Sequence, residues 1–157
     1  MCIFVDATSK ITHVVVGENN KKPKRTFKFL YALAKGIPIV KESYIHDCLK
    51  NNKRLNEQPY ISSGCIKGSH DAPLQSFNKA CILNAKLFDG LCFVLLGTFH
   101  SPPKSNIIDL ISAANGTIQE SGIAICDQQY ASKYQDATTS AQLFDAISYY
   151  NTTAFMS

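Results

Sequence analysis

No apolar run in the sequence approaches the roughly 18–20 residues that a membrane-spanning helix needs, and no charged-then-apolar secretion signal opens it. The six cysteines, Cys2, Cys48, Cys65, Cys81, Cys92 and Cys126, form no CxxC pair and no Cys/His set with zinc spacing. They lie mostly among apolar neighbours, where cysteine behaves as a small hydrophobe. This predicts a reducing, intracellular setting, no disulfides, and no metal or other cofactor. The sequons at Asn115 and Asn151 are then chance matches. A Walker loop, a GxGxxG run and a GxSxG elbow are all missing. His13, His46, His70 and His100 are scattered, without partners at catalytic or metal spacing. These absences argue against an enzyme.

What is present is enough for a core. The chain has 157 residues, 45% of them apolar, with nine Phe and seven Tyr, which excludes a wholly disordered, collagen-like or coiled-coil protein. The net charge of +4 conceals an asymmetry. Residues 1–86 hold 14 of the 16 Lys and Arg but 6 of the 12 Asp and Glu, so the remainder of the chain is acidic. Two units with different surfaces fit that split, the first able to meet an anion. For charge alone, a solvated basic face is the plainer reading.

The first unit reads as strand Cys2–Val5, strand Ile11–Val16, and a helix from Arg25 to Lys35 with Phe27, Leu30, Tyr31 and Ala34 on one face and Gly36 as its stop. A strand Ile37–Val40 follows, then a helix capped by Ser43 and running to about Asn52, with Tyr44, Ile45, Cys48 and Leu49 inward. Residues 53–86 show no sustained period beyond a turn or two of helix at Phe77–Leu83. The second unit begins with an apolar strand ending at Leu96. Ser101-Pro-Pro caps a helix presenting Ile107, Leu110, Ile111 and Ala114, and a strand at Gly122–Cys126 comes next. The polar stretch 127–141 is uninformative, and a last helix, Gln142–Tyr150, turns Leu143, Phe144, Ile147 and Tyr150 inward. Strands alternating with helices predict an α/β fold with parallel sheets. Tyr44-Ile-His-Asp-Cys-Leu49 and Gln142-Leu-Phe-Asp-Ala-Ile147 also echo each other, with Asp47 and Asp145 in matching places.

Taken together, Thr12-His-Val-Val-Val, Arg25-Thr-Phe-Lys-Phe-Leu, Ala34-Lys-Gly-Ile-Pro-Ile-Val, Leu55-Asn-Glu, Lys86-Leu-Phe-Asp-Gly and Leu96-Gly-Thr-Phe resemble tandem BRCT repeats, the breast-cancer-gene C-terminal domain. The resemblance implies two small parallel-sheet units in tandem: a first repeat at 1–60, a linker at 61–86 and a second repeat at 87–157. It implies that the first repeat is truncated, because the family's opening strand and helix would precede Met1. The family's Trp in the last helix of each repeat is replaced by Tyr44 and Gln142, and the second replacement is expected to lose apolar burial. The helix at 102–114 and the last helix of the first unit are expected to join the two units.

The chemistry centres on the start of the first helix, where Lys21, Lys22, Lys24, Arg25 and Lys28 crowd together. A helix N-terminus already carries about half a positive charge, so cations there are unfavourable unless an anion balances them. An exposed basic turn remains the plain alternative. By resemblance, Lys28 matches the lysine that contacts phosphoserine, Thr26 the threonine that supports it, and Arg25 the arginine that holds the peptide backbone. Leu30, Pro102 and Phe144 match an apolar pocket between repeats, or serve simply as packing between them. The implied function is a phosphoserine-peptide-binding interaction module of a DNA-damage-response or DNA-repair protein, located in the nucleus. Its partners would be phosphoproteins of that response, and a RING-domain heterodimer formed through regions outside this chain; any ubiquitin-ligase activity would reside in such a RING domain. An interaction fragment that has lost its phosphate pocket is one rival reading. Binding of nucleic acid or poly(ADP-ribose) through the basic unit is another, disfavoured because the aromatics read as core. Lys21-Lys-Pro-Lys24 also fits a short nuclear-import pattern.

Overall fold

A computed structural model describes residues 11–19 and 21–155; the strand expected at Cys2–Val5 lies outside the described residues. Strands β1 (Val14–Val16) and β2 (Ile39–Lys41) pair in parallel, with Val14 opposite Ile39 and Val16 opposite Lys41. Helix α1 (Phe27–Lys35) connects them. Its N-cap is Thr26, whose hydroxyl accepts from the Phe29 amide at 3.2 Å, and its stop is Gly36 at φ 79°. Only glycine serves at that stop. A Cβ there would lie 2.3 Å from Cβ of Ala80, so the position combines a left-handed turn with a close helix approach.

Helix α2 (Glu42–Lys50) follows β2 without a break. Lys41, not Ser43, is its N-cap, and the Ser43 hydroxyl instead donates to Glu18 at 2.8 Å. The expected inner face is also narrower than its periodicity suggests. Tyr44 is buried, Cys48 is half-buried, and Ile45 and Leu49 are exposed. Tyr44 fills its place well: its hydroxyl donates to the Leu55 carbonyl at 3.1 Å, His13 stacks on its ring and Tyr60 meets it edge-on. Burial, first among several causes, raises the Tyr44 pKa. His13 therefore has a structural contact, reinforced by the Glu57 carboxylate 3.2 Å away.

The stretch 61–86 is not featureless. It carries a twelve-residue helix, α3 (Ala72–Leu83), with Pro in its first turn and Asn84 as a left-handed stop. The apolar period of α3 is faint because only Ala72, Pro73 and Ser76 are buried, whereas Ile82 and Leu83 are exposed. Ser76 donates to the Leu33 carbonyl at 2.6 Å, a buried bond that ties α3 to α1.

In the second unit β3 (Cys92–Leu96), β4 (Thr117–Ile118), β5 (Ile123–Cys126) and β6 (Thr138–Thr139) form an all-parallel sheet in the order β4-β3-β5-β6. Helix α4 (Lys104–Ala113) lies between β3 and β4, with Ile107, Leu110 and Ile111 buried as expected. Its N-cap is Pro103, so Ser101 does not cap it. Helix α5 (Ser140–Tyr149) starts two residues earlier than the periodicity indicates. Thr139 is its N-cap, and its hydroxyl accepts from the Gln142 amide while the Gln142 side chain accepts from the Thr139 amide at 2.8 Å. Gln142 is exposed, so the burial loss expected there does not arise: the residue works as a cap.

The two units meet chiefly through α1, which packs against α3, α4 and α5. The expected junction included α4 correctly but put the last helix of the first unit where α1 stands. One core runs through both units, joining Phe29, Leu30 and Leu33 to Ile107, Leu110, Ile111, Leu143 and Ile147. The apolar stripe of α1 is wide enough to face its own sheet and its neighbours together.

Candidate functional site

The start of α1 is shaped by three restraints. The Pro23 carbonyl accepts from the Ile66 amide at 2.9 Å, which pins the approach to the helix. Thr26 is extended, and with its oxygen engaged by Phe29 its hydroxyl proton remains free to donate. Arg25 is half-buried, and its guanidinium donates to the Asp145 carboxylate on α5 and reaches the Ser148 hydroxyl at 3.4 Å. Ser148 in turn donates to the Lys67 carbonyl at 2.7 Å. The 65–68 loop, α1 and α5 therefore meet at Arg25. The Cys65 thiol lies beside this meeting point: burial pushes its pKa up, against the opposing pull of Arg25 and Lys22.

Lys28 is half-buried in the first turn of α1, a turn that contains no acidic residue. Arg25 has its countercharge in Asp145, and the helix dipole adds partial positive charge at this end of α1. The structure thus brings Arg25, Thr26 and Lys28 to one helix end. Leu30 sits one turn further on, 2% exposed within the shared core. Phe144 packs against that core half-buried, and Pro102 is half-buried in the turn ahead of α4.

Sequence reasoning missed Asp145 and Ser148 as partners of Arg25. The only signal was the echo between Asp47 and Asp145, and the two aspartates do different things. Asp47 accepts from the Tyr60 hydroxyl at 2.8 Å within the first unit, whereas Asp145 crosses to the first unit from the second. Among the described residues no group of three or more His, Cys, Asp or Glu side chains could hold a metal ion, and Cys48, Cys65, Cys81, Cys92 and Cys126 are unpaired.

Comparisons with known proteins agree with this architecture. Residues 4–49 match the family model of the BRCA1 C Terminus (BRCT) domain. The chain is 38% identical over 111 residues to the protein BREAST CANCER SUSCEPTIBILITY 1 homolog of Arabidopsis thaliana, covering 70% of this chain and 12% of that protein. It is 33% identical over 116 residues to BRCA1-associated RING domain protein 1 of Homo sapiens, covering 73% of this chain and 14% of that one. It therefore spans only a small part of the relatives it matches. The crystal structure of the BRCT5-BRCT6 domains of S. pombe Brc1 superposes with a TM-score of 0.55 over 90% of this chain and 79% of that one, at 17% identity, and so shares the fold. Residues 4–49 belong to the BRCT family, and the chain shares the fold of two BRCT domains in tandem.

Proposed function

We propose that this chain is a phosphoserine-peptide-binding module of a DNA-damage-response protein, working in the nucleus by binding and not by catalysis. BRCT modules act in protein interactions, and the aligned relatives are BRCA1-type and BRCA1-associated proteins. The observation that carries the phosphate reading is the gathering of Arg25, Thr26 and Lys28 at an α1 N-terminus without an acidic residue in its first turn. In this reading Lys28 supplies the charge and the Thr26 hydroxyl a donor for a phosphate oxygen. Arg25, oriented by Asp145, presents its remaining N–H groups to the peptide backbone. Pro102 and Phe144, both half-buried, border the junction along which the peptide continues, while Leu30, buried in the shared core, serves as packing. A RING-domain partner would be recruited by other parts of the whole protein, as the name of the human relative suggests for that protein.

Titration calorimetry with a pSer-x-x-Phe peptide and its unphosphorylated twin tests the proposal. The phosphopeptide should bind more tightly, by roughly tenfold for one charge-assisted contact, and the gap should narrow in high salt. Lys28→Met should remove most of the gap, whereas Lys50→Met, an exposed cation in the last turn of α2, should leave it intact. Equal losses from both variants would indicate diffuse attraction of polyanions and sink the proposal.

A further inference from the structure

The two parallel strands of the first unit end at the same level, Val16 opposite Lys41, and a cavity of 510 Å³ opens there. Its walls are Val16, Gly17 and Glu18 beyond β1, Lys21, Lys22 and Pro23 on the way to α1, Lys41 at the end of β2, and Ser62 and Ser63. In open α/β sheets the crevice beyond the carboxyl ends of the strands is where ligands bind. This cavity has the charge for an anion. Among the described residues, none of Lys21, Lys22 and Lys41 has an ion-pair partner. The one carboxylate in the wall, Glu18, already accepts the Ser43 hydroxyl at 2.8 Å. Ser62 is buried and its hydroxyl donates to the Ser63 carbonyl at 3.1 Å, which leaves its oxygen lone pairs but no proton for a ligand. The Ser63 hydroxyl makes no hydrogen bond among the described residues. A cleft lined by one sign of charge concentrates the opposite ion.

We infer that this cleft is a phosphate-binding site, in which Lys21, Lys22 and Lys41 neutralise a phosphate dianion and Ser63 donates a hydrogen bond to it. It shares no residue with the Arg25, Thr26 and Lys28 group, so the two sites stand or fall separately. The volume lies within the roughly 300–1,000 Å³ of small-ligand sites, which leaves room for the phosphate and part of its carrier. Glu18 disfavours a bulkier polyanion, because each added negative charge would face it.

The test is a titration of the whole chain with inorganic phosphate at constant ionic strength, following the backbone amide NMR signals of Gly17 and Ser63. Saturable shifts are expected with phosphate and not with chloride. Lys41→Met and Lys21→Met should each weaken binding by about tenfold, the loss of one charge-assisted contact, and Ser63→Ala by less. Lys28→Met should change the affinity less than twofold. A phosphoserine peptide that shifts the same amides more tightly than inorganic phosphate would assign the site to a protein-borne phosphate. Equal affinity would assign it to a free anion. Shifts that fail to saturate, that chloride reproduces, or that Lys28→Met abolishes as fully as Lys41→Met would overturn the site. So would a duplex oligonucleotide whose binding is weakened equally by Lys21→Met, Lys41→Met and Lys50→Met.

Discussion

The Arg25 guanidinium at the start of α1 donates to the Asp145 carboxylate on α5, an ion pair that crosses from one unit to the other. Arg25 is mostly shielded from solvent while Asp145 is about half exposed, 19% against 51% for their side chains. A pair open on one side is screened, and its removal costs little stability. Asp145→Asn should therefore lower unfolding free energy by less than about 1 kcal/mol in urea titration. It should weaken phosphopeptide binding more than it weakens the fold, because Arg25 then loses the partner that aims it. A stability loss of several kcal/mol with unchanged binding would show that the pair is purely structural.

Gln142 offers a test of what a departure from a family pattern means. Its amide and side chain complete the cap of α5 with Thr139. Thr139→Ala should cost about 1 kcal/mol, the usual loss for an N-cap, and Gln142→Ala somewhat less. Gln142→Trp should not stabilise the chain, since the position is exposed and the indole would remove the cap without filling a cavity. Thermal melts of the three variants decide between a cap and an underfilled core.

Gly36 marks a close approach of α1 to α3. Gly36→Ala would force a β-carbon onto Ala80 at a φ of 79°. The expected loss is about 1–3 kcal/mol for overpacking, with the left-handed strain added. Hydrogen exchange should localise the damage to 72–83, and Ala80→Gly in the same chain should recover part of it. Ser76→Ala tests the same contact from the other side, because it leaves the buried Leu33 carbonyl without the donor 2.6 Å away, at a cost of about 1–3 kcal/mol.

Asp127 gives the fold a pH dependence of known sign. The amide of His100, donating at 2.8 Å, is the main cause that lowers its pKa; burial opposes this, and the amides of Gln129 and Ser101 and the Gln129 side chain assist. A folded-state value below the unfolded one, near 3.9, contributes stability that is fully present above about pH 4. That contribution disappears as pH falls through the folded value. Asp127→Asn should flatten the acid limb of a stability-against-pH curve, with the remaining slope left to groups such as Glu57 and Asp89, whose values are also lowered. An unchanged acid limb would show that Asp127 is not the group that titrates.

Local chemistry written in the sequence settled much of this protein. The alternation of Val14–Val16, Phe27–Lys35 and Ile39–Lys41 made a parallel α/β unit readable, because a β-branched run and a 3.6-residue stripe are short-range signals. The inward sets on α4 and α5 were readable for the same reason, and so was the cluster Arg25, Thr26, Lys28, which spans the approach, the N-cap and the first turn of α1. What the sequence could not decide depends on residues far apart in the chain. Helix α3 buries so little that its period is faint, and only its fit against Gly36 and Leu33 gives it a place. The roles of Gln142 and Ser43 turned on whether a neighbouring backbone group or carboxylate stood within reach. That Ile45 and Leu49 stay exposed while Leu30 joins both units was decided by which faces the tertiary structure covers. The partnership of Arg25 with Asp145, and the meeting of Lys21 and Lys22 with Lys41 and Ser63, exist because two strands end at one level and two helices cross. No local pattern encodes those distances.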